Sequence, residues 1–183
     1  KNEKEMCVII IKPAGKHLPA REELEMCYSL NHDGCGFASK TMSYHSMDFE
    51  DFYSHLRRVP QREACIIHFR WATHGSVGLK NCHPFHDQAT DVWFAHNGIL
   101  NIKPKGDMTD SETAFRKRLV PVIKDHGLFS KPLCATAISI IGYSKFAFMQ
   151  EGRIRIFGHF YNYGGCLYSN LRHLQVPYHW HSA

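Results

Sequence analysis

The apolar positions along the chain fall into short blocks with two different periods. Residues 7–12 (CVIIIK) and 64–69 (ACIIHF) are short apolar, β-branched runs, which predicts buried strands, the first followed by a turn. Residues 92–95 predict a further short strand, and Gly34-Cys35-Gly36-Phe37-Ala38 a glycine-marked turn into another. Residues 19–30 carry Leu24, Cys27 and Tyr28 at helical spacing behind Glu22 and Glu23, the charge a helix start prefers. Residues 48–57 place Phe49, Phe52, Tyr53 and Leu56 on one helical face. A third helix is predicted over 110–126, capped at Thr109 or Asp110 and stopped by Gly127. The last third reads as strands at 135–142, 145–150 and 153–158 with tight connections, a β-meander, and a final strand at 166–169. The periods alone predict one α+β domain with antiparallel sheet.

Composition narrows the class. The chain has 183 residues, 44% hydrophobic and 21% charged, enough for one compact domain with a core. No apolar run approaches the ~18 residues a membrane span needs, and Lys-Asn-Glu-Lys-Glu at the start is unlike a secretory signal. Seven cysteines with no CxxC spacing read as buried thiols in a reducing compartment, hence a cytoplasmic protein, rather than as a disulfide scaffold. The net charge of +5 is spread thinly, with small clusters at Arg57-Arg58 and Arg116-Lys117-Arg118, and these read as solvated helix faces rather than a nucleic-acid surface. Fourteen histidines raise the question of metal. Cys82-His83 with His86, and His179 with His181, lack the paired spacings of zinc sites, and no metal is expected. Gly75-Ser76-Val77-Gly78-Leu79-Lys80 lacks the spacing of a phosphate loop.

Four short stretches carry candidate chemistry: Met6-Cys7 ahead of the first strand, His68-Phe69-Arg70-Trp71-Ala72-Thr73-His74-Gly75, His96-Asn97-Gly98, and Thr109-Asp110-Ser111-Glu112. Each alone has an ordinary structural reading: a core thiol, a strand end, a turn, a helix cap. In this order, with His83-Pro84-Phe85 between the second and third, they resemble the class II glutamine amidotransferases of the N-terminal nucleophile hydrolase superfamily. The similarity runs from Met6 to Glu112, with a fainter echo at Tyr168-Ser169-Asn170.

The resemblance implies a four-layer αββα sandwich with antiparallel sheets, and hydrolysis of L-glutamine to glutamate and ammonia through a thioester on Cys7, with no cofactor. It implies Cys7 as nucleophile, with the Asn97 side-chain amide and the Gly98 backbone N–H forming the oxyanion hole. Trp71, Thr73 and His74 would line the glutamine pocket. The chemistry suits the residue types. The α-carboxylate of glutamine matches the planar fork of Arg70, and its α-ammonium matches the carboxylate of Asp110. An ammonia-accepting synthase subunit is the expected partner class, with no role for nucleic acid or membrane.

The family's base is the α-amino group of the cysteine itself, with an ordinary pKa of roughly 7.7–8.0. Here Cys7 follows six residues. Residues 1–6 are therefore expected to be a leader or propeptide-like segment, and 7–183 a single amidotransferase domain. The rival expectations are a non-catalytic, unprocessed relative used for binding or assembly, and an N-terminal nucleophile amidohydrolase acting on another amide.

Overall fold

The computed structural model describes residues 7–72 and 77–175. Two antiparallel sheets lie face to face. The larger is built of β1 (Val8–Lys12), β2 (Cys35–Ser39), β3 (Ser43–Ser46), β4 (Cys65–Phe69), β9 (Tyr161–Tyr163) and β10 (Cys166–Tyr168), in the order β3-β2-β4-β1-β10-β9. The smaller is built of β5 (Phe85–Asp87), β6 (Val92–Asn97), β7 (Lys145–Gln150) and β8 (Arg153–Phe157), in chain order.

The strands at the centre of the larger sheet explain why their sequences show no alternation. In β1, Ile9 and Ile11 join Ala38 and Ile66 in facing the second sheet, where they meet Ala95, Ala147 and Met149. Val8 and Ile10 face the other way, into a core closed by helices α1 (Arg21–Leu30) and α2 (Phe49–Leu56) through Leu24, Phe49, Phe52 and Leu56. Behind the smaller sheet, Phe94, Phe146 and Phe148 pack on α3 (Asp110–Ala114), a π-helical turn (Phe115–Leu119), α4 (Val120–His126) and α5 (Lys131–Ile141). The layers are helix, sheet, sheet, helix, as expected.

Three local expectations needed correction. Of residues 135–142, expected to be a strand, all but the last lie in helix α5, and Gly142 is its C-cap. The apparent alternation of Ala135 to Ile140 coincides with a helical stripe. Leu133 and Ala137 are buried four residues apart and Ile140 and Ile141 follow on the same face. Ser130 caps the helix by accepting from Leu133 N, and Gly142 ends it at φ 53°. The meander is thus a helix followed by the β7–β8 hairpin. The helix expected over 110–126 is interrupted by the π turn just before Pro121, whose missing N–H denies the Lys117 carbonyl its usual partner. Finally, β3, β5 and β9 were not expected. All three are short, polar strands on sheet edges, where half the side chains meet water and no apolar period develops.

One buried charge anchors the end of β1. Lys12 is 1% exposed, and its Nζ donates to the carbonyls of Gln61 at 2.6 Å, Pro60 at 3.4 Å, and Glu63. It thereby closes the loop that leads into β4.

Candidate active site

Antiparallel pairing decides where the site forms. Val8 pairs with Phe69 and Ile10 with Tyr168, so the start of β1 lies beside the ends of both its neighbours, β4 and β10. The end of β6, in the facing sheet, arrives at the same rim, since His68 on β4 reaches the carbonyl of His96 on β6 at 3.2 Å. The residue just before β1, those just after β4 and β6, and the start of α3 line one pocket: Cys7, Arg70, Trp71, Gly98 and Asp110. Five candidate residues from four separated stretches of sequence are brought together. Thr73 and His74 lie outside the described residues.

The Cys7 thiol rests on the backbone of Trp71. Its Sγ accepts from Trp71 N at 3.3 Å and lies 3.4 Å from Trp71 O. Burial pushes its pKa up, while the Trp71 hydrogen bond and the Arg70 charge pull it down. The thiol is therefore protonated at neutral pH, and forming its thiolate needs a base. Trp71 thus meets the Cys7 thiol through its peptide group, a contact no side-chain reading would find.

Arg70 leaves β4 as a 4% exposed residue, held by its N–H to Gly34 O at 2.8 Å. Asp33 grips the same segment from the other side. Its Oδ2 accepts from Ala72 N at 2.8 Å and its N–H donates to Arg70 O at 3.0 Å. Nothing in the sequence around Asn31-His32-Asp33-Gly34 singles Asp33 out from an ordinary polar turn.

Asp110 opens α3 behind its cap, Thr109, whose Oγ1 accepts from Glu112 N at 3.1 Å. Its Oδ2 accepts from Leu100 N at 2.9 Å and its Oδ1 from Ser111 N at 2.8 Å. Two backbone donors fix the carboxylate and leave lone pairs for a further donor. Gly98 turns the chain at φ 133° with Ser144 packed against it. A Cβ there would stand 2.3 Å from Ser144 Oγ, so only glycine fits.

Asn97 behaves differently. It is fully buried behind the pocket wall, its Nδ2 donates to Ser169 Oγ at 2.8 Å, and its Oδ1 has no partner among the described residues. Of the two residues expected to form the oxyanion hole, Gly98 lines the pocket, and Asn97, next to it in the chain, is buried with one of its two side-chain N–H groups taken by Ser169.

Three histidines of the quoted motifs, His68, His83 and His96, are buried at the pocket, and the last two belong to its lining. His83 Nδ1 is 3.1 Å from His68 Nε2, and His96 Nδ1 is 2.6 Å from Ser111 Oγ. A carbonyl only accepts, so His68 carries its proton on Nε2, and His83 Nδ1 faces it as an acceptor. Burial depresses all three pKa values, His68 to about 3, His96 to about 4, and His83 well below the ordinary value with help from its neighbours' charge. They are neutral at physiological pH. No group of three or more metal-ligating side chains is found among the described residues. All seven cysteines are free thiols, five of them buried. No helix among the described residues is long and apolar enough to cross a membrane.

With this geometry, the comparisons with known proteins fall into place. Residues 53–138 match the family of class-II glutamine amidotransferases. A glutamine–fructose-6-phosphate aminotransferase of Methanococcus maripaludis is 39% identical over 56 residues, 26% of this chain and 9% of that protein. The corresponding enzyme of Fusobacterium nucleatum is 32% identical over 85 residues, 43% of this chain and 14% of that protein. The matched stretches therefore span only a small part of these relatives. Among solved structures, glutamine phosphoribosylpyrophosphate amidotransferase from B. subtilis, in complex with ADP and GMP, superposes with a TM-score of 0.55 at 18% identity. The match covers 88% of this chain and 41% of that one. Residues 53–138 are thus similar to the class-II glutamine amidotransferases, and the helix–sheet–sheet–helix layering is shared with the B. subtilis amidotransferase.

Proposed function

We propose that the chain hydrolyses L-glutamine to glutamate and ammonia, and that residues 1–6 are removed to make this possible. The observation that carries the reading is the gathering of Cys7, Arg70, Gly98 and Asp110 around one pocket from four distant stretches of chain. Thiol, guanidinium, backbone turn and carboxylate are the complement that cleaving the side-chain amide of an α-amino acid requires.

In this reading Arg70 takes the α-carboxylate of glutamine and Asp110, held open by its two backbone donors, takes the α-ammonium. Removal of residues 1–6 exposes the Cys7 α-amine, which accepts the thiol proton; the thiolate attacks the side-chain carbonyl carbon. The oxygen gathers negative charge opposite the Gly98 N–H and the second N–H of Asn97. The amine returns the proton to the leaving nitrogen, ammonia departs, and a thioester remains. Water then attacks the thioester and releases glutamate. With Met6 still attached, Cys7 has an amide nitrogen in place of the amine and no base, so processing is part of the proposal. The ammonia passes to an acceptor domain or subunit.

The test is glutamate release from L-glutamine by two forms, the full chain and one started at Met6 so that methionine removal exposes Cys7. Activity confined to the form with mass-confirmed terminal Cys7 supports the reading. No activity from that form rejects it in favour of a relative that keeps the pocket for binding.

A further inference from the structure

The residues that follow β10 play no part in the mechanism above, yet they grip both halves of the site. Ser169 is fully buried. Its N–H donates to Ile9 O at 2.9 Å, and its Oγ accepts from Ile9 N at 2.8 Å. The side chain thereby takes over the ladder acceptor that a backbone carbonyl would supply, which fixes the hydroxyl two residues beyond Cys7. The same Oγ accepts from Asn97 Nδ2 at 2.8 Å, across the gap between the two sheets. Asn170 adds a third link, its Nδ2 donating to Cys7 O at 2.9 Å.

The carboxamide of an asparagine turns about a soft, broad torsion, and its neighbours set its plane. For Asn97 the described surroundings offer one such neighbour. Nδ2 meets Ser169, and Oδ1 meets no polar group. A donor for an oxyanion contributes most when it is held before the charge develops.

We propose that Ser169 is the positioning residue that fixes the Asn97 carboxamide relative to the Cys7 strand. It makes no contact with glutamine and acts through Asn97, so the inference rests on the proposed glutamine hydrolysis. Its loss should lower the rate of the chemical step and leave substrate affinity nearly unchanged.

The experiment compares Ser169→Ala, Ser169→Cys, Asn97→Ala and the Ser169→Ala/Asn97→Ala double variant, in whichever form of the wild type releases glutamate. Removing an oxyanion donor outright typically costs about a hundredfold or more in kcat, so Ser169→Ala is expected to lose about tenfold, with KM within about twofold. Ser169→Cys, close in size with a weaker acceptor, should fall between; it also keeps the test alive should the alanine variant not fold. In the Asn97→Ala background the Ser169 substitution should cost less than about twofold, because its target is gone. A purely structural role at Ile9 N would give the same loss in both backgrounds, and that result, or a wild-type kcat in Ser169→Ala, overturns the proposal. An NMR arm on the full chain, with ¹⁵N-labelled asparagine, separates this inference from the reaction itself. The Asn97 carboxamide protons should be well dispersed and slow to exchange, collapsing toward free-asparagine values in Ser169→Ala. Unchanged resonances refute the positioning role even if the wild type proves inactive, the outcome that would dispose of the hydrolysis reading.

Discussion

The buried histidines make the protein acid-sensitive in a defined window. His68, His83 and His96 are neutral in the fold because a charged imidazole there would lose its water; Arg70 and neighbouring imidazoles also repel the charge at His68 and His83, whereas at His96 the Asp110 carboxylate opposes the burial without overcoming it. Unfolding releases them to an ordinary pKa near 6.5. Below that value the unfolded chain binds protons that the folded chain refuses, so stability falls as pH drops. The penalty grows down to the folded values, about 3 for His68 and about 4 for His96. At pH 5 each histidine costs on the order of 2 kcal/mol, so the three together rival the whole stability of a typical domain. His45 is also depressed by burial and adds in the same direction. The carboxylates lowered in the fold, Glu23, Asp51 and Glu63, act only as pH falls toward and below their ordinary values, 4.5 for the glutamates and 3.8 for the aspartate, outside this window. The assay is urea unfolding at steps from pH 7.5 to 5.0. The midpoint should be flat above about pH 7 and then fall steeply. His83→Phe should reduce the slope by about one proton's share, ~1.4 kcal/mol per pH unit. A total loss under about 1 kcal/mol between pH 7.5 and 5.0 would show that the cluster takes up protons in the fold and would refute the reasoning.

Cys7→Ala should abolish glutamate release while leaving the urea midpoint near the wild-type value, since among the described residues the thiol's hydrogen bonds are to Trp71 backbone atoms; residual turnover would reassign the nucleophile. Arg70→Lys should raise KM for glutamine by about tenfold or more through loss of the planar fork, and an unchanged KM would move the carboxylate contact elsewhere. Asp110→Asn should raise it similarly by removing the charge opposite the α-ammonium. Lys12→Ala should destabilise the fold by about 3 kcal/mol or more, because the carbonyls of Pro60, Gln61 and Glu63 would lose their shared donor; a midpoint shift worth less than about 1 kcal/mol would show that water replaces the ammonium.

The sequence made the layered fold and the site's first members readable for related reasons. The β1 and β4 runs are buried on both faces, so their apolar continuity identifies central strands without neighbours to consult. Cys7, Arg70, Gly98 and Asp110 each carry a functional group or a backbone freedom that is visible in the residue type. The errors arose where one pattern satisfies two periods, as in α5, or where an edge strand buries too little to show any, as in β3, β5 and β9. Asp33 and Ser169 went unassigned because their work is hydrogen bonding to backbone and side chains 39 and 160 residues away.

By itself, then, the sequence determined which groups the chain has for chemistry and which segments must be buried, because side-chain type and apolar period are local properties. The tertiary structure alone decided that the start of β1 meets the ends of β4, β6 and β10 at one rim. It alone decided that Trp71 serves Cys7 through its peptide group and that Ser169 holds Asn97. Those are consequences of strand register and sheet stacking, and register is set by the pairing of segments that are distant in sequence.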